Sequence, residues 1–335
     1  MISGRKRVKQ ALTFSSPDRA PRDLWALPYI SLFRKSELDA MYQAFPMDIG
    51  SSQLSPGWSE KVVQACSKAG AYTDDWGSVW YVGEPGVIGE VKYPAISDWS
   101  DLDKFQPPWH LINTRDFAYT NQCYEESDLF MLSDVTARPF ERLQFLRGTE
   151  NLFVDIAYGT LEFRKLLEIV HEFYLKDISS WCKANVDAIF FMDDWGMNDR
   201  LLIQPQIWRE IFKPLYQEYV NMIHQAGKFA FFHTDGNIEQ IFGDLVDLGI
   251  DAINAQLFTM DLESISRQFK GKITFWGEID RQDVLPFGSP DDVYAAVKCV
   301  RSLLDDGTGG LIAQCEWGKD NTSANIEAVF KAWEK

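Results

Sequence analysis

The chain has 335 residues, 46% of them apolar, with 23 Phe, 12 Trp and 12 Tyr, enough for one large barrel or two ordinary domains. A net charge of −16 argues against nucleic acid or an anionic membrane surface as a partner. No apolar run reaches transmembrane length, no signal-peptide core follows Met1, and the five cysteines are widely spaced without a Cys-x-x-Cys pair, so a cytoplasmic, reducing location is expected.

In chain order, residues 3–12 read as a short helix with Ser3 as its N-cap and Arg5, Lys6, Arg7 and Lys9 on a solvated face. Pro17, Asp18, Arg19 and Pro21 mark a turn, and residues 24–30 are the first strand candidate. A helix is expected over 58–68, stopped by Gly70 and followed by Asp74-Asp75-Trp76-Gly77. Residues 78–108, rich in Gly, Pro and aromatics, suggest a hairpin-like excursion covering one mouth of the fold, with Trp76, Trp80 and Tyr81 as apolar walls. Residues 129–132 form an apolar strand ending in Ser133-Asp134, and helices are expected over 140–146 and 161–181.

The second half is more regular. Strands over 187–192, 229–232, 250–253, 272–276 and 309–313 alternate with helices over 206–226, 238–248, 262–269, 290–304 and 323–333. Five consecutive βα units imply a parallel sheet with right-handed crossovers, and three earlier strand candidates bring the total to eight. Eight such strands close into a (β/α)8 TIM barrel, read here as one domain over 1–335. An open doubly wound sheet is the alternative, but no Gly-x-Gly-x-x-Gly or P-loop marks a nucleotide site.

In such a barrel the chemistry gathers beyond the carboxyl ends of the strands. The strand ends carry Asp134, Asp193, Asp194, His233, Asp235, Asn254, Gln256, Glu278, Asp280 and Cys315. Singly, an aspartate there can be a helix cap, and Cys315 a buried apolar filler. Together His233, Asp235, Glu278 and Cys315 offer imidazole, carboxylate and thiolate groups suited to Zn²⁺. We assign His233, Asp235 and Cys315 to the metal and Asp193, Asp235 and Glu278 to catalysis. Trp76, Asp194, Asn254, Gln256 and Trp276 are assigned to substrate contact.

Arg5-x-Arg7-Val8, Pro17-Asp18-Arg19-x-Pro21, Asp75-Trp76-Gly77, Phe212-Lys213-Pro214-Leu215-Tyr216, His233-x-Asp235-Gly236-Asn237 and Asn325-Ile326-Glu327-Ala328 resemble the uroporphyrinogen decarboxylase superfamily over essentially the whole chain. The resemblance implies a (β/α)8 barrel and two candidate activities. The decarboxylases are metal-free and grip a polycarboxylate with an Arg-rich N-terminal segment, which Trp25 to Lys35 lacks. The corrinoid-dependent methyltransferases bind Zn²⁺ through His-x-Cys and a distant Cys; His233 matches the first, Asp235 replaces the second and Cys315 matches the third. By that likeness the chain stands nearer the methyltransferases, with a small-molecule substrate and a corrinoid on a partner protein. The competing expectations are a metal-free carboxy-lyase in which Asp193, Asp235 or Glu278 protonates a carbanion-like centre, and a non-catalytic small-molecule binder.

Overall fold

A computed structural model of the protein describes residues 2–52 and 65–334. The strands, in chain order, are β1 (Arg22–Ala26), β2 (Ile49–Ser51), β3 (Gly70–Thr73), β4 (Val79–Val82), β5 (Glu90–Tyr93), β6 (Phe130–Leu132), β7 (Ala188–Met192), β8 (Phe229–Thr234), β9 (Ala252–Ala255), β10 (Thr274–Trp276) and β11 (Leu311–Trp317). Eight of them form one parallel sheet in the order β1-β11-β10-β9-β8-β7-β6-β2. Between the outer two, the Asp48 amide donates to the Arg22 carbonyl at 2.9 Å, so the sheet is a nearly closed (β/α)8 barrel.

The strands are apolar on both faces because both are covered. Phe130, Phe190, Phe231, Trp276 and Ile312 fill the interior, while Ile189, Phe191, Phe232 and Phe275 belong to the layer under the helices. Helices Leu161–Trp181, Leu262–Phe269 and Pro290–Leu304 have the expected bounds. The helix expected over 206–226 is two, Pro205–Ile211 and Lys213–Gln225, divided at Phe212. Pro214 accounts for the break, since it has no N–H to continue the ladder. The helix expected over 58–68 falls largely outside the described residues.

The N-terminal basic cluster is only partly a solvated face, with Lys6 exposed and Arg7 buried. Helix Gly4–Leu12, capped by Ser3, inserts Val8 and Leu12 into the barrel interior. Three of its cations meet carboxylates at the same end: Arg7 binds buried Asp48 and half-exposed Asp18, and Arg5 and Lys9 bind buried Asp187. The turn expected at 17–21 supplies Asp18 and Arg19, the latter also pairing with Asp48.

Strands β3, β4 and β5 form the antiparallel excursion. It lies along the rim: Glu84 pairs with Lys319 beyond β11, Gly86 approaches Tyr29 beyond β1, and Trp80 meets Phe145 in helix Pro139–Arg147. Trp76 is turned to the barrel flank, stacked on Phe105 and edge-on to Phe173, with the Arg142 guanidinium 4.5 Å from its ring. It is a packing residue, and the substrate contact expected of it is withdrawn. Trp80 packs on Tyr72 and Phe145, and Tyr81 is about half-exposed.

Candidate metal centre

Strand phase decides which polar groups reach the mouth. In β8, Phe231 and His233 point inward while Phe232 lies under the helices. In β11, Ile312 faces the interior and Ala313 and Cys315 face the helix layer. Gln314 and Glu316 therefore share the inner face with Ile312. Adjacent residues on a strand face opposite sides, so Cys315 is directed away from the centre it was expected to join. It pairs in register with outward-facing Leu24, and burial pushes its thiol well above the usual range. The same rule separates the two aspartates after β7, expected in catalysis and in substrate contact. Asp193 turns outward, where its carboxylate accepts from the Phe140 and Glu141 amides, both at 2.8 Å, and from the Tyr216 hydroxyl at 2.6 Å. Asp193 thus caps helix Pro139–Arg147 and is not a catalytic group. Asp194 turns inward.

Asp194, His233 and Asp235 form one group, each offering a ligand atom within 4.8 Å of the others. His233 Nε2 stands 3.4 Å from Asp235 Oδ1 and 3.7 Å from Asp194 Oδ1. Two ligands about 2.1 Å from one tetrahedral ion are separated by roughly 3.4 Å, so these spacings fit Zn²⁺. Two further observations agree. Asp235 Oδ1 is buried without a hydrogen-bond partner among the described residues, as is Glu278 Oε1. The imidazole is also held in one tautomer. Asn254 Nδ2 donates to the Trp276 carbonyl (2.5 Å) and to Gln314 Oε1 (3.0 Å), leaving its Oδ1 to accept from His233 Nδ1 at 2.6 Å. With the proton on Nδ1, the Nε2 lone pair faces the two aspartates.

The backbone makes this convergence possible. A Cβ on Gly236 would lie 2.2 Å from backbone atoms of Gly196, and one on Gly196 would lie 2.4 Å from the Asn237 nitrogen. Only paired glycines let the loops after β7 and β8 touch, and Gly236 also has φ +78°. The Gly196 amide donates to the Asp235 carbonyl, and the Asp235 amide donates to Asp194 Oδ1.

Around the three ligands lie further charges. Glu278, from beyond β10, and Glu316, from β11, flank Arg281, whose Nη1 is 2.9 Å from Glu316 Oε2 and whose Nη2 meets Asp235 Oδ2. Burial, then the neighbouring Glu141 and Asp235, push Asp194 up to about 8. Burial also pushes Glu278 up to about 8, against the pull of Arg281. Burial is the larger cause of both shifts and the neighbouring acids add to it, a condition that a divalent cation would relieve.

The remaining expected contacts are supports. Gln256 Oε1 accepts from the Gly236 amide at 3.2 Å and holds that loop. Trp276 lies inside the barrel and donates from Nε1 to Asp23 at 2.8 Å; Trp25 donates to the same carboxylate at 3.1 Å. Trp25 is thereby fixed against His233, ring centroids 5.1 Å apart. Trp25 also lines a cavity of about 570 Å³ together with Asp23, Ile49, Leu132 and Phe190. Trp25, Arg281 and Glu316 were missed in the sequence. The phase of β11 was the available signal for Glu316: once Ile312 is inside, so is every second residue after it.

Comparison with known proteins agrees with this architecture. The structure superposes on a methyltransferase from Methanosarcina mazei with a TM-score of 0.73 and 14% identity, covering 100% of this chain and 99% of that one. A glycosylated endo-beta-1,4-xylanase of glycoside hydrolase family 10 from Gloeophyllum trabeum superposes with a TM-score of 0.50 and 8% identity, over 96% and 98% of the two chains. At these identities the likeness is one of fold. No curated protein sequence matches significantly. The family profile described as uroporphyrinogen decarboxylase (URO-D) matches residues 127–335, which hold six of the eight barrel strands and the whole candidate centre. The chain belongs to the uroporphyrinogen decarboxylase family.

Proposed function

We propose that the protein is a metal-dependent methyltransferase that moves a methyl group between a small protic substrate and a corrinoid carried by a partner protein. The observation that carries this reading is the Asp194–His233–Asp235 group, with its fixed Nε2 lone pair and its unpartnered Asp235 oxygen. Zn²⁺ held there would act as a Lewis acid and lower the pKa of a substrate thiol, hydroxyl or amine. Asn254 keeps His233 in the coordinating tautomer, and Trp25 packs against the imidazole. A cation bound beside it would lower the pKa of Glu278 and leave its Oε1 to accept the proton that the substrate loses. The partner's corrinoid would supply the methyl group to the substrate heteroatom, with the electron pair of the Co–C bond left on cobalt.

Charge also favours a protic substrate over a carboxylate. Arg281 is engaged by Asp235, Glu278 and Glu316, and Arg138 by Glu141. The family's decarboxylase chemistry remains the second reading because Glu278, pushed up to about 8, carries a proton near neutral pH and could deliver it to a carbanion. The test is a paired assay of zinc-loaded and chelated protein, with methylcobalamin as methyl donor and a panel of small thiols, alcohols and amines. Zinc-dependent loss of methylcobalamin absorbance with any member supports the methyltransferase. Carbon dioxide release from carboxylated substrates by chelated protein, with no methyl transfer, would replace it by the lyase.

A further inference from the structure

Arg281 is the charged side chain at the centre that neither the ligand set nor the proposed chemistry accounts for. It springs from the turn after β10, which Asp280 fixes by accepting from the Gln282 and Asp283 amides at 2.9 and 3.0 Å. From there it reaches back over the mouth and is mostly buried, with 16% of its side chain exposed. Its partners come from three strand ends: Asp235 after β8, Glu278 after β10 and Glu316 on β11. The contact with Asp235 is made through Oδ2 alone, and the other oxygen, Oδ1, is the one 3.4 Å from His233 Nε2. A carboxylate fastened at one oxygen cannot rotate away or chelate through both.

We propose that Arg281 is the positioning residue of the metal centre: it fixes the Asp235 carboxylate so that Oδ1 alone faces the ion, and Glu316 holds Arg281 in place. The inference rests on the metal-centre reading and adds to it a residue outside the ligand set. The two possible roles of a guanidinium here act in opposite directions. As a mere neighbouring charge, Arg281 would repel a divalent cation, and removing it would tighten binding. As a positioning group it pre-organises a ligand, and supporting partners of this kind are typically worth 10- to 100-fold in metal affinity.

The experiment measures Zn²⁺ affinity by competition with a chromophoric chelator, and the visible spectrum of the Co²⁺-loaded protein, for wild type, Arg281→Met, Arg281→Lys and Glu316→Gln. Circular dichroism and thermal unfolding of the metal-free proteins report folding. The expected result is at least tenfold weaker Zn²⁺ binding and an altered Co²⁺ spectrum in Arg281→Met. Arg281→Lys should regain only part of the affinity, since an ammonium cannot make the same forked contact. Glu316→Gln leaves Arg281 present but less firmly held and should weaken binding by a smaller factor; it also serves should Arg281→Met not fold. Equal or tighter binding with an unchanged Co²⁺ spectrum in Arg281→Met, or in Glu316→Gln where Arg281→Met is unfolded, overturns the assignment and leaves the centre standing. Wild-type protein that binds neither ion overturns both.

Discussion

At the scale of single residues, Cys315 and Asp194 make the sharpest contrast. Each stands two residues beyond the last apolar residue of a strand run, Ala313 and Met192, and they differ in the face on which they fall. Cys315→Ser should leave metal binding intact and lower stability by about 1–3 kcal/mol, because the new hydroxyl is buried among apolar groups without a partner. Asp194→Asn should weaken metal binding strongly at unchanged stability. Chelator competition together with urea unfolding separates the two. Asp194 also gives the binding its pH dependence. Its carboxyl, pushed up to about 8 by burial and by Glu141 and Asp235, holds a proton at neutral pH that an incoming ion must displace. Zn²⁺ binding should therefore release protons and tighten as pH rises towards about 8, weakening as pH falls below it. Titration in two buffers of different ionisation enthalpy checks the proton count.

At the scale of elements, the meeting of β7 and β8 sets the geometry. A methyl group at Gly236 would strike the Gly196 backbone and must also tolerate a left-handed conformation. Gly236→Ala should therefore separate Asp194 from Asp235, costing roughly 3 kcal/mol in stability and most of the metal affinity. Thermal unfolding and metal titration of the one variant measure both; native values for both would show that the loops have slack. Most elements here were legible because strand and helix periods differ and the second half carries clear stops. Helix Leu161–Trp181 and the strand leading to His233 follow from apolar spacing alone. The end of β11 does not. Gln314 and Glu316 look like the polar close of a strand, but they are inner-face residues of a strand that continues to Trp317, with Gln314 bonded to Asn254. Polarity was taken for termination where it marked a hydrogen-bonded interior, and the error in phase turned Cys315 inward and left Glu316 unnoticed. Arg281 was hidden for another reason: it reaches the centre from a loop, where no period constrains direction.

At the scale of the whole molecule, a (β/α)8 barrel is compatible with many chemistries, and membership of the uroporphyrinogen decarboxylase family leaves both decarboxylation and methyl transfer open. The distribution of charge narrows the choice. At the N-terminal end of the barrel, buried acids are matched by Arg5, Arg7, Lys9 and Arg19 and serve stability. At the other end, Asp235, Glu278 and Glu316 share Arg281 with Asp194 close by, and these acids gather where an imidazole lone pair is held ready. The most direct measurement is the metal content of protein purified without chelator and equilibrated with Zn²⁺, set against His233→Ala. The account predicts one tightly held ion per wild-type chain and none in the variant. Wild-type protein without bound metal, or a His233→Ala variant that retains it, would contradict the account.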